Sequence, residues 1–153
     1  MLKGRELVGL PVIALETGEE LGRVEDLVWE KTGPHVVGVL FSQDGLFKNR
    51  RFLELKKLKG YGPDALMVDG TTSLTTPFPE GTLHWRDCRG KKVLDTQGKE
   101  LGLLEDVELE WPSGRIVGLE LSLGLVDDLL EGRQTASLKD RSLTWGSDIV
   151  ILH

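Results

Sequence analysis

Two pairs of adjacent carboxylates have residue types suited to chemistry. Glu25-Asp26 and Glu105-Asp106 occupy matching places in the chain, at an offset of 80 residues. Paired carboxylates can move protons in acid–base catalysis or bind a hard cation such as Ca²⁺. In a repeated strand motif, however, an aspartate commonly accepts backbone N–H groups at a turn or bulge. We therefore interpret Asp26 and Asp106 as structural and expect no catalytic residues.

The three histidines and the single cysteine do not form a pattern typical of a metal centre. His84 and Cys88 lie four residues apart, but a structural zinc site needs a complete tetrahedral set of ligands. Cys88 also lacks the neighbouring base that activates a nucleophilic thiol, and we interpret it as a small buried side chain. The sequence therefore predicts no metal, no cofactor and no enzymatic activity.

One stretch of the chain is basic although the whole chain is acidic, with a net charge of -6. Between positions 48 and 59 it carries six basic residues and one acid. Phe47, Phe52 and Tyr61 flank this stretch, and basic residues mixed with aromatic ones are typical of single-stranded RNA surfaces. Lysines at a strand edge also prevent aggregation between sheets. The candidate partner or RNA surface comprises Lys48, Arg50, Arg51, Lys56, Lys57 and Lys59.

Four tryptophans are many for 153 residues. They can pack inside the core or between two domains, because buried tryptophan contributes strongly to packing. They can also anchor a partner, since tryptophan is enriched at interface hot spots. Burial preference favours the packing interpretation. The residues are Trp29, Trp85, Trp111 and Trp145.

The segments that position these side chains occur twice along the chain. Gly18-Glu19-Glu20-Leu21-Gly22 recurs as Gly98-Lys99-Glu100-Leu101-Gly102. These glycines precede strand-like segments and lack the Lys-Ser/Thr pair of a phosphate loop, so we interpret them as turn and strand geometry. A period of 80 residues exceeds the ~20–50 residues of solenoid units and indicates two copies of a small domain. The structural motif comprises Gly18, Leu21, Gly22, Asp26, Gly38, Gly98, Leu101, Gly102, Asp106 and Gly118.

Each copy is predicted to consist of short strands. Period-two alternation after each Gly-x-x-Leu-Gly motif indicates a strand buried on one face, and a parity slip between Val24 and Leu27 predicts a β-bulge. Single turns of helix are predicted at 55–59 and 138–141, and a short helix at 124–132. Five or six strands per copy predict an all-β chain of two small antiparallel barrels, whose closure leaves no unpaired edge.

The predicted domains are repeat 1 (residues 1–70) and repeat 2 (residues 83–153). A linker at 71–82 contains Pro77 and Pro79, which favour an extended, stiff segment. No apolar run approaches the ~20 residues of a membrane span, and the N-terminus lacks the pattern of a secretion signal. A single cysteine excludes an intramolecular disulfide. We therefore expect a cytoplasmic protein.

The repeated motif resembles the PRC-barrel family. The shared features are the Gly-x-Glu-Leu-Gly turn, the aspartate-containing strand, the glycine of the third strand (Gly38 and Gly118), and the final Gly-x-Asp-hydrophobic strand beginning at Gly62 and Gly146. The resemblance implies a compact barrel in each copy. It also implies a docking role without a catalytic residue set, as in the H subunit of the photosynthetic reaction centre and the ribosome-maturation factor RimM.

These observations predict a non-catalytic adaptor or scaffold that binds an unidentified protein partner, which can be a second copy of the chain. The alternative is a RimM-like factor that binds RNA or a ribosome precursor through the basic stretch. A third hypothesis is a barrel regulated by a metal or small ligand at Asp26 and Asp106.

Overall fold

A computed structural model describes residues 2–43, 50–70, 79–123 and 134–153. The first half contains β1 (Leu2–Lys3), α1 (Gly4–Leu7), β2 (Pro11–Ala14), β3 (Glu20–Glu30), β4 (Val36–Ser42), β5 (Arg51–Glu54), a 3-10 turn (Leu55–Lys57), β6 (Gly60–Tyr61) and β7 (Leu66–Val68). The second half contains β8 (Thr82–His84), α2 (Trp85–Cys88), β9 (Lys92–Asp95), β10 (Glu100–Leu109), β11 (Ile116–Ser122), β12 (Gln134–Ser137), β13 (Leu143–Trp145) and β14 (Ile149–Leu152). Within these ranges each α-helix has four residues, too few to cross a membrane.

The two halves form two sheets of seven strands that match strand for strand. One sheet has the order β5-β4-β3-β2-β7-β6, and the other has the order β12-β11-β10-β9-β14-β13. The all-β prediction and the duplication are therefore confirmed. Most strand pairs are antiparallel, as predicted, and each sheet also contains one parallel pair: β2 with β7, and β9 with β14. A two-residue strand, β6, reverses the chain before β7 and gives β7 the direction of β2.

Closure of each barrel by hydrogen bonds was expected and is not found. In the described ranges, β5 and β6 end the first sheet without pairing with each other, and β12 and β13 end the second. The chain itself crosses the gap in the first sheet, where the helical turn predicted at 55–59 is a 3-10 turn over Leu55–Lys57 that leads from β5 to β6. The predicted turn at 138–141 is a single reversal, in which Arg141 N–H donates to Leu138 O at 3.0 Å. The helix predicted at 124–132 lies outside the described residues.

The first strand of each repeat pairs with the sheet of the other repeat. β1 lies antiparallel to β10, with Leu2 opposite Leu109. β8 lies antiparallel to β3, with His84 opposite Val28. Each sheet therefore gains its seventh strand from the opposite half of the sequence, and the two repeats interlock. The linker predicted at 71–82 overlaps this exchange, because β8 begins at Thr82.

The predicted bulge in β3 lies between Val24 and Asp26, and its counterpart in β10 lies between Leu104 and Asp106. The extra residue in each case is a glutamate, Glu25 or Glu105. A bulge shifts the parity of a strand by one residue. The side chains of Asp26 and Asp106 therefore lie on the outer face of their sheets, whereas Val24 and Leu104 lie on the face that packs in the core.

Two of the motif glycines are required by close backbone approach. A Cβ atom on Gly22 would lie 2.6 Å from Ser42 O, and one on Gly102 would lie 2.7 Å from Ser122 O. Such distances are well inside van der Waals contact, so no larger residue fits there. The motif leucines differ in burial: Leu21 is buried, whereas Leu101 is partly exposed.

A single hydrophobic core extends through both repeats. Trp29 of β3 contacts two tryptophans of repeat 2, with ring centroids 5.6 Å from Trp85 and 4.8 Å from Trp145. Trp111 of repeat 2 contacts Tyr61 of repeat 1 at 4.7 Å. Every tryptophan of the chain thus takes part in packing between the repeats, as the packing interpretation predicts.

Candidate functional site

The aspartates of the repeated motif fasten the helical turn of the opposite repeat. Asp26 Oδ1 accepts the backbone N–H of Arg86 in α2 at 3.0 Å, and Asp106 Oδ2 accepts the backbone N–H of Arg5 in α1 at 3.2 Å. Each aspartate also accepts the N–H of the residue that follows it, at 2.9 Å and 2.8 Å. These bonds form a reciprocal clasp, because each repeat supplies one acceptor and one donor.

The Asp106 side of the clasp is reinforced by charge. Arg5 Nη1 lies 3.0 Å from Glu120 Oε1 and 3.4 Å from Asp106 Oδ2. Lys3 Nζ lies 2.6 Å from the other oxygen of Glu120. The hydrogen bond to Glu120 is the largest cause that raises the pKa of Arg5 above its ordinary value. Two buried acids from repeat 2 are therefore held by two bases from the N-terminal segment.

The Asp26 side has different neighbours. Leu40 stands opposite Asp26 in the sheet, where repeat 2 has Glu120 opposite Asp106. His84 Nδ1 lies 3.7 Å from Asp26 Oδ2, and that oxygen is buried without a hydrogen-bond partner. Burial raises the pKa of Asp26, although the N–H groups of Arg86 and Leu27 partly offset the effect.

A cleft of about 330 Å³ lies beside the clasp and is lined by both repeats. Two of its arginines are engaged within the protein: Arg5 pairs with Glu120, and Arg89 Nη2 lies 3.7 Å from Glu105 Oε2. Asp26 also lines the cleft, and its Oδ2 atom has no hydrogen-bond partner among the described residues. The lining residues are Arg5, Val8, Glu25, Asp26, Trp85, Arg86 and Arg89.

Three of the six residues of the predicted basic surface pair with neighbouring acids. The ion pairs are Arg50 Nε with Glu25 Oε2 at 3.0 Å, Lys56 Nζ with Glu54 Oε2 at 3.0 Å, and Lys59 Nζ with Asp69 Oδ2 at 3.5 Å. Arg51 is exposed on β5, Lys57 is half-buried, and Lys48 lies outside the described residues. Long-range attraction for a polyanion is weaker when each cation has an acid beside it.

Cys88 is the last residue of α2, and its side chain is fully buried in the core. Burial raises the pKa of its thiol to about 11, which opposes formation of the reactive thiolate. Within the described ranges, no three of the His, Cys, Asp and Glu residues converge closely enough to hold a metal ion.

The outer faces of the two sheets differ in polarity. In repeat 1, the outer face of β3, β4 and β5 carries a small apolar cluster, in which the Phe52 ring lies across Gly38. Val37, the extra residue at a bulge in β4, packs against this cluster. The matching positions in repeat 2 are mostly polar. The cluster comprises Val28, Val37, Leu40 and Phe52, and its counterparts by strand register are Glu108, Val117, Glu120 and Thr135.

A groove of about 530 Å³ runs between this apolar cluster and the linker. The linker side is held in place because Lys31 N–H donates to Gly81 O at 3.0 Å. Within the described chain, Glu30 and Glu80 form no ion pair, whereas Glu54 pairs with Lys56. We call this feature the linker groove, and it is lined among others by Glu30, Val37, Phe52, Glu54, Pro79 and Glu80.

The corresponding groove of repeat 2 is smaller and has the opposite charge balance. Its volume is about 310 Å³. We call it the repeat-2 groove, and its lining includes Glu108, Arg115, Val117, Thr135, Leu138 and Lys139. The matched positions Val37 and Val117 share the same place in the two grooves, which makes each a control for the other.

Comparison with known proteins agrees with the duplicated architecture. The sequence profile of the PRC-barrel domain matches residues 1–74 and again residues 80–149. The chain belongs to the PRC-barrel family. It is also similar to the uncharacterized protein YrrD of Bacillus subtilis (strain 168), with 24% identity over 148 residues, which cover 97% of this chain and 85% of that protein. The predicted resemblance is thus confirmed.

Sequence reasoning missed the residues that join the two PRC-barrel repeats and those that shape the linker groove. Glu120 had a detectable signal, because it interrupts an apolar run where repeat 1 has Leu40. Arg86 had none, since its hydrogen bond to Asp26 comes from the backbone N–H. Arg5 had none, since its ion-pair partner Glu120 is 115 positions away along the chain. Pro79 and Glu80 lie in the linker, where no periodicity indicates a contact with the sheet.

Proposed function

We propose that this PRC-barrel protein is a non-catalytic adaptor or scaffold that binds a protein partner. One observation carries the proposal: repeat 1 has an apolar groove on its outer face, whereas repeat 2 has polar residues at most of the matching positions. Since repeat 2 folds without this apolar face, the architecture does not require it. Val28, Leu40 and Phe52 are themselves buried, and Val37 presents a partly exposed side chain to the groove. A partner that covers Val37 would remove this apolar surface from water.

The absence of catalysis belongs to the same proposal. The carboxylates best placed for chemistry, Asp26 and Asp106, are buried and accept backbone N–H groups of the opposite repeat. A carboxylate occupied in this way supports the interface between the repeats. Glu25 likewise accepts from the Ser42 hydroxyl and pairs with Arg50.

The proposal is tested with matched variants. Tagged wild-type protein, Val37→Glu and Val117→Glu would each be used for affinity purification from the native cells at low salt. We expect a protein partner that is captured by wild type and Val117→Glu and lost with Val37→Glu. Light scattering on the purified samples shows whether the partner is a second copy of the chain, and melting curves show that each variant is folded. Equal capture by all three proteins would contradict the proposal.

RNA binding stays an alternative proposal based on the basic stretch. The ion pairs of Arg50, Lys56 and Lys59 weaken it. If it holds, charge reversal at Arg50, Arg51, Lys56 and Lys57 abolishes RNA capture, and the affinity falls steeply with salt. An affinity for RNA that does not change with salt or with these substitutions would contradict the alternative.

A further inference from the structure

We infer that the linker groove receives a basic peptide segment with one aliphatic side chain between its cations. The inference rests on the proposed function and names the chemistry of the partner at that site. It follows from the charge of the rim, the apolar floor and the contrast with the repeat-2 groove.

Among the described residues, the rim of the linker groove carries more acidic groups than basic ones. Glu30 and Glu80 are exposed and, within the described parts of the chain, have no ion-pair partner. Glu54 lies in the same groove with Lys56 beside it at 3.0 Å. Lys31 is a lining cation, so the three carboxylates exceed the basic groups that face them. A segment rich in lysine or arginine complements this rim, and the overall charge of -6 attracts it over longer distances.

The floor of the groove requires an apolar group from the same ligand. Val37 is partly exposed beside the buried Phe52, and Pro79 lies on the linker side. A volume of about 530 Å³ falls within the ~300–1,000 Å³ typical of ligand sites. An aliphatic side chain that covers Val37 removes apolar surface from water. A polyanion such as RNA is disfavoured here, because its phosphates would face the carboxylates.

The excess of acidic groups is found in the linker groove and not in the repeat-2 groove. Arg115 and Lys139 line it together with a single acid, Glu108. A basic peptide that recognises only the common sheet geometry would bind both grooves equally. A peptide that recognises the acids and the apolar floor together would bind the linker groove alone.

The test uses the full chain and synthetic peptides labelled with fluorescein. The first peptide has lysines flanking one leucine, the second replaces the leucine with serine, and the third replaces the lysines with glutamates. Fluorescence anisotropy measures their affinities, and amide chemical shifts from NMR locate the binding site. We expect only the first peptide to bind well, with shifts around Val37 and Glu80, and binding to weaken as salt increases.

Matched variants separate local recognition from overall charge. Glu30→Gln combined with Glu80→Gln should weaken the first peptide about tenfold. Glu108→Gln combined with Glu110→Gln changes the net charge equally and should change the affinity less than about twofold. Thermal melting verifies that both double variants fold.

The outcomes distinguish this inference from the function on which it rests. If the lysine–leucine peptide fails to bind while Val37→Glu still abolishes capture of a cellular partner, the inference of a basic ligand is wrong and the adaptor proposal stands. The inference of a basic ligand is also wrong if the glutamate peptide binds more strongly, or if the protein self-associates and Val37→Glu abolishes that association. If Val37→Glu affects neither peptide nor cellular partner, both proposals fail.

Discussion

Asp26 and Arg86 join the two repeats through a bond from side chain to backbone: the Asp26 Oδ1 atom accepts the Arg86 N–H at 3.0 Å. Asp106 and Arg5 repeat the arrangement at 3.2 Å in the opposite direction. A carboxylate oxygen at this position satisfies an N–H group in the first turn of a helix, which has no acceptor within the helix itself. The interface between the repeats therefore depends on the duplicated motif itself.

Removing the Asp26 acceptor should destabilise the whole protein. Asp26→Ala leaves the N–H groups of Leu27 and Arg86 without their acceptor, and we expect the free energy of unfolding to fall by about 1–3 kcal/mol. Urea unfolding followed by tryptophan fluorescence measures this change. Asp26→Asn keeps an oxygen at the same place and serves as the control. Equal losses in the two variants would show that the hydrogen bonds do not matter.

Ionisation of Asp26 should make stability depend on pH. Burial raises the pKa of Asp26 in the folded protein, so between its ordinary and its raised pKa the folded state binds more protons than the unfolded state. The free energy of unfolding therefore falls as the pH rises through that window. Asp26→Asn has no carboxylate to ionise, and its stability relative to wild type should grow as the pH rises above about 4, until Asp26 of the folded protein has ionised.

Comparison of Asp26→Asn with Asp106→Asn shows how the neighbours of each carboxylate affect its contribution to stability. Asp106 has Arg5 at 3.4 Å, so neutralising it removes an attraction and should lower stability slightly, because the Arg5 side chain is half exposed. Urea titrations of both Asn variants across the same pH range check the contrast. Parallel pH profiles would contradict it.

The exchanged strands predict that the repeats unfold together. A fragment that ends at residue 70 keeps β1 and α1 but lacks β10, on which they lie. It also lacks β8, which pairs with β3. We expect fragments 1–70 and 71–153 to be largely unfolded alone and to form a folded one-to-one complex when mixed. Circular dichroism checks the fragments, and calorimetry of the full chain should show one transition with a calorimetric to van't Hoff ratio of about 1. Two transitions would contradict the interlocked core.

The sequence predicted the elements with a strong local pattern. The motif around Gly22 and Gly102 located the turns, and the parity slip near Val24 located the bulge. It did not predict β1 and β8, because strands of two or three residues carry too little periodicity to be recognised. Their pairing is decided by which sheet edge lies beside them, which is a property of the assembled repeats.

In the candidate sites, too, the sequence predicted what depends on local residue type and missed what depends on the assembled fold. The role of Asp26 as a backbone acceptor follows from residue type, but its acceptor bond reaches a residue 60 positions away. The basic stretch was evident from composition, whereas the acids that pair with it come from other strands and loops, such as Glu25 and Asp69. Charge counted along the chain cannot reveal compensation in space.

Matched glycines in the third strands should respond differently to substitution. A Cβ atom on Gly38 would lie 2.4 Å from both Leu53 O and the Phe52 ring. The nearest atom to a Cβ on Gly118 is the end of the Glu108 side chain at 3.0 Å, which can rotate away. We expect Gly38→Ala to cost about 1–3 kcal/mol or more, by overpacking, and Gly118→Ala to cost less than about 1 kcal/mol. Urea unfolding of the two variants provides the comparison, and a larger loss for Gly118→Ala would contradict it.

The reactivity of Cys88 should report opening of the clasp. Cys88 is buried in α2, whose N-terminal turn is fastened by Asp26, and its thiol pKa is about 11. At about pH 8 only about one thiol in a thousand is then ionised, so modification by a thiol-specific disulfide reagent should be slow in the native protein and fast in urea. Asp26→Ala should accelerate the native reaction at least about tenfold, because a weaker clasp exposes α2 more often.

Asp106→Ala provides the matched control for this measurement, since it loosens α1 at the other end of the interface. If α2 opens locally, the rate at Cys88 rises much more in Asp26→Ala than in Asp106→Ala, even when both variants lose similar global stability. If the thiol reacts only through global unfolding, the two rates follow the unfolding free energies alone. Equal acceleration at equal stability would therefore contradict an independent opening of α2 and would assign the whole interface to one cooperative unit.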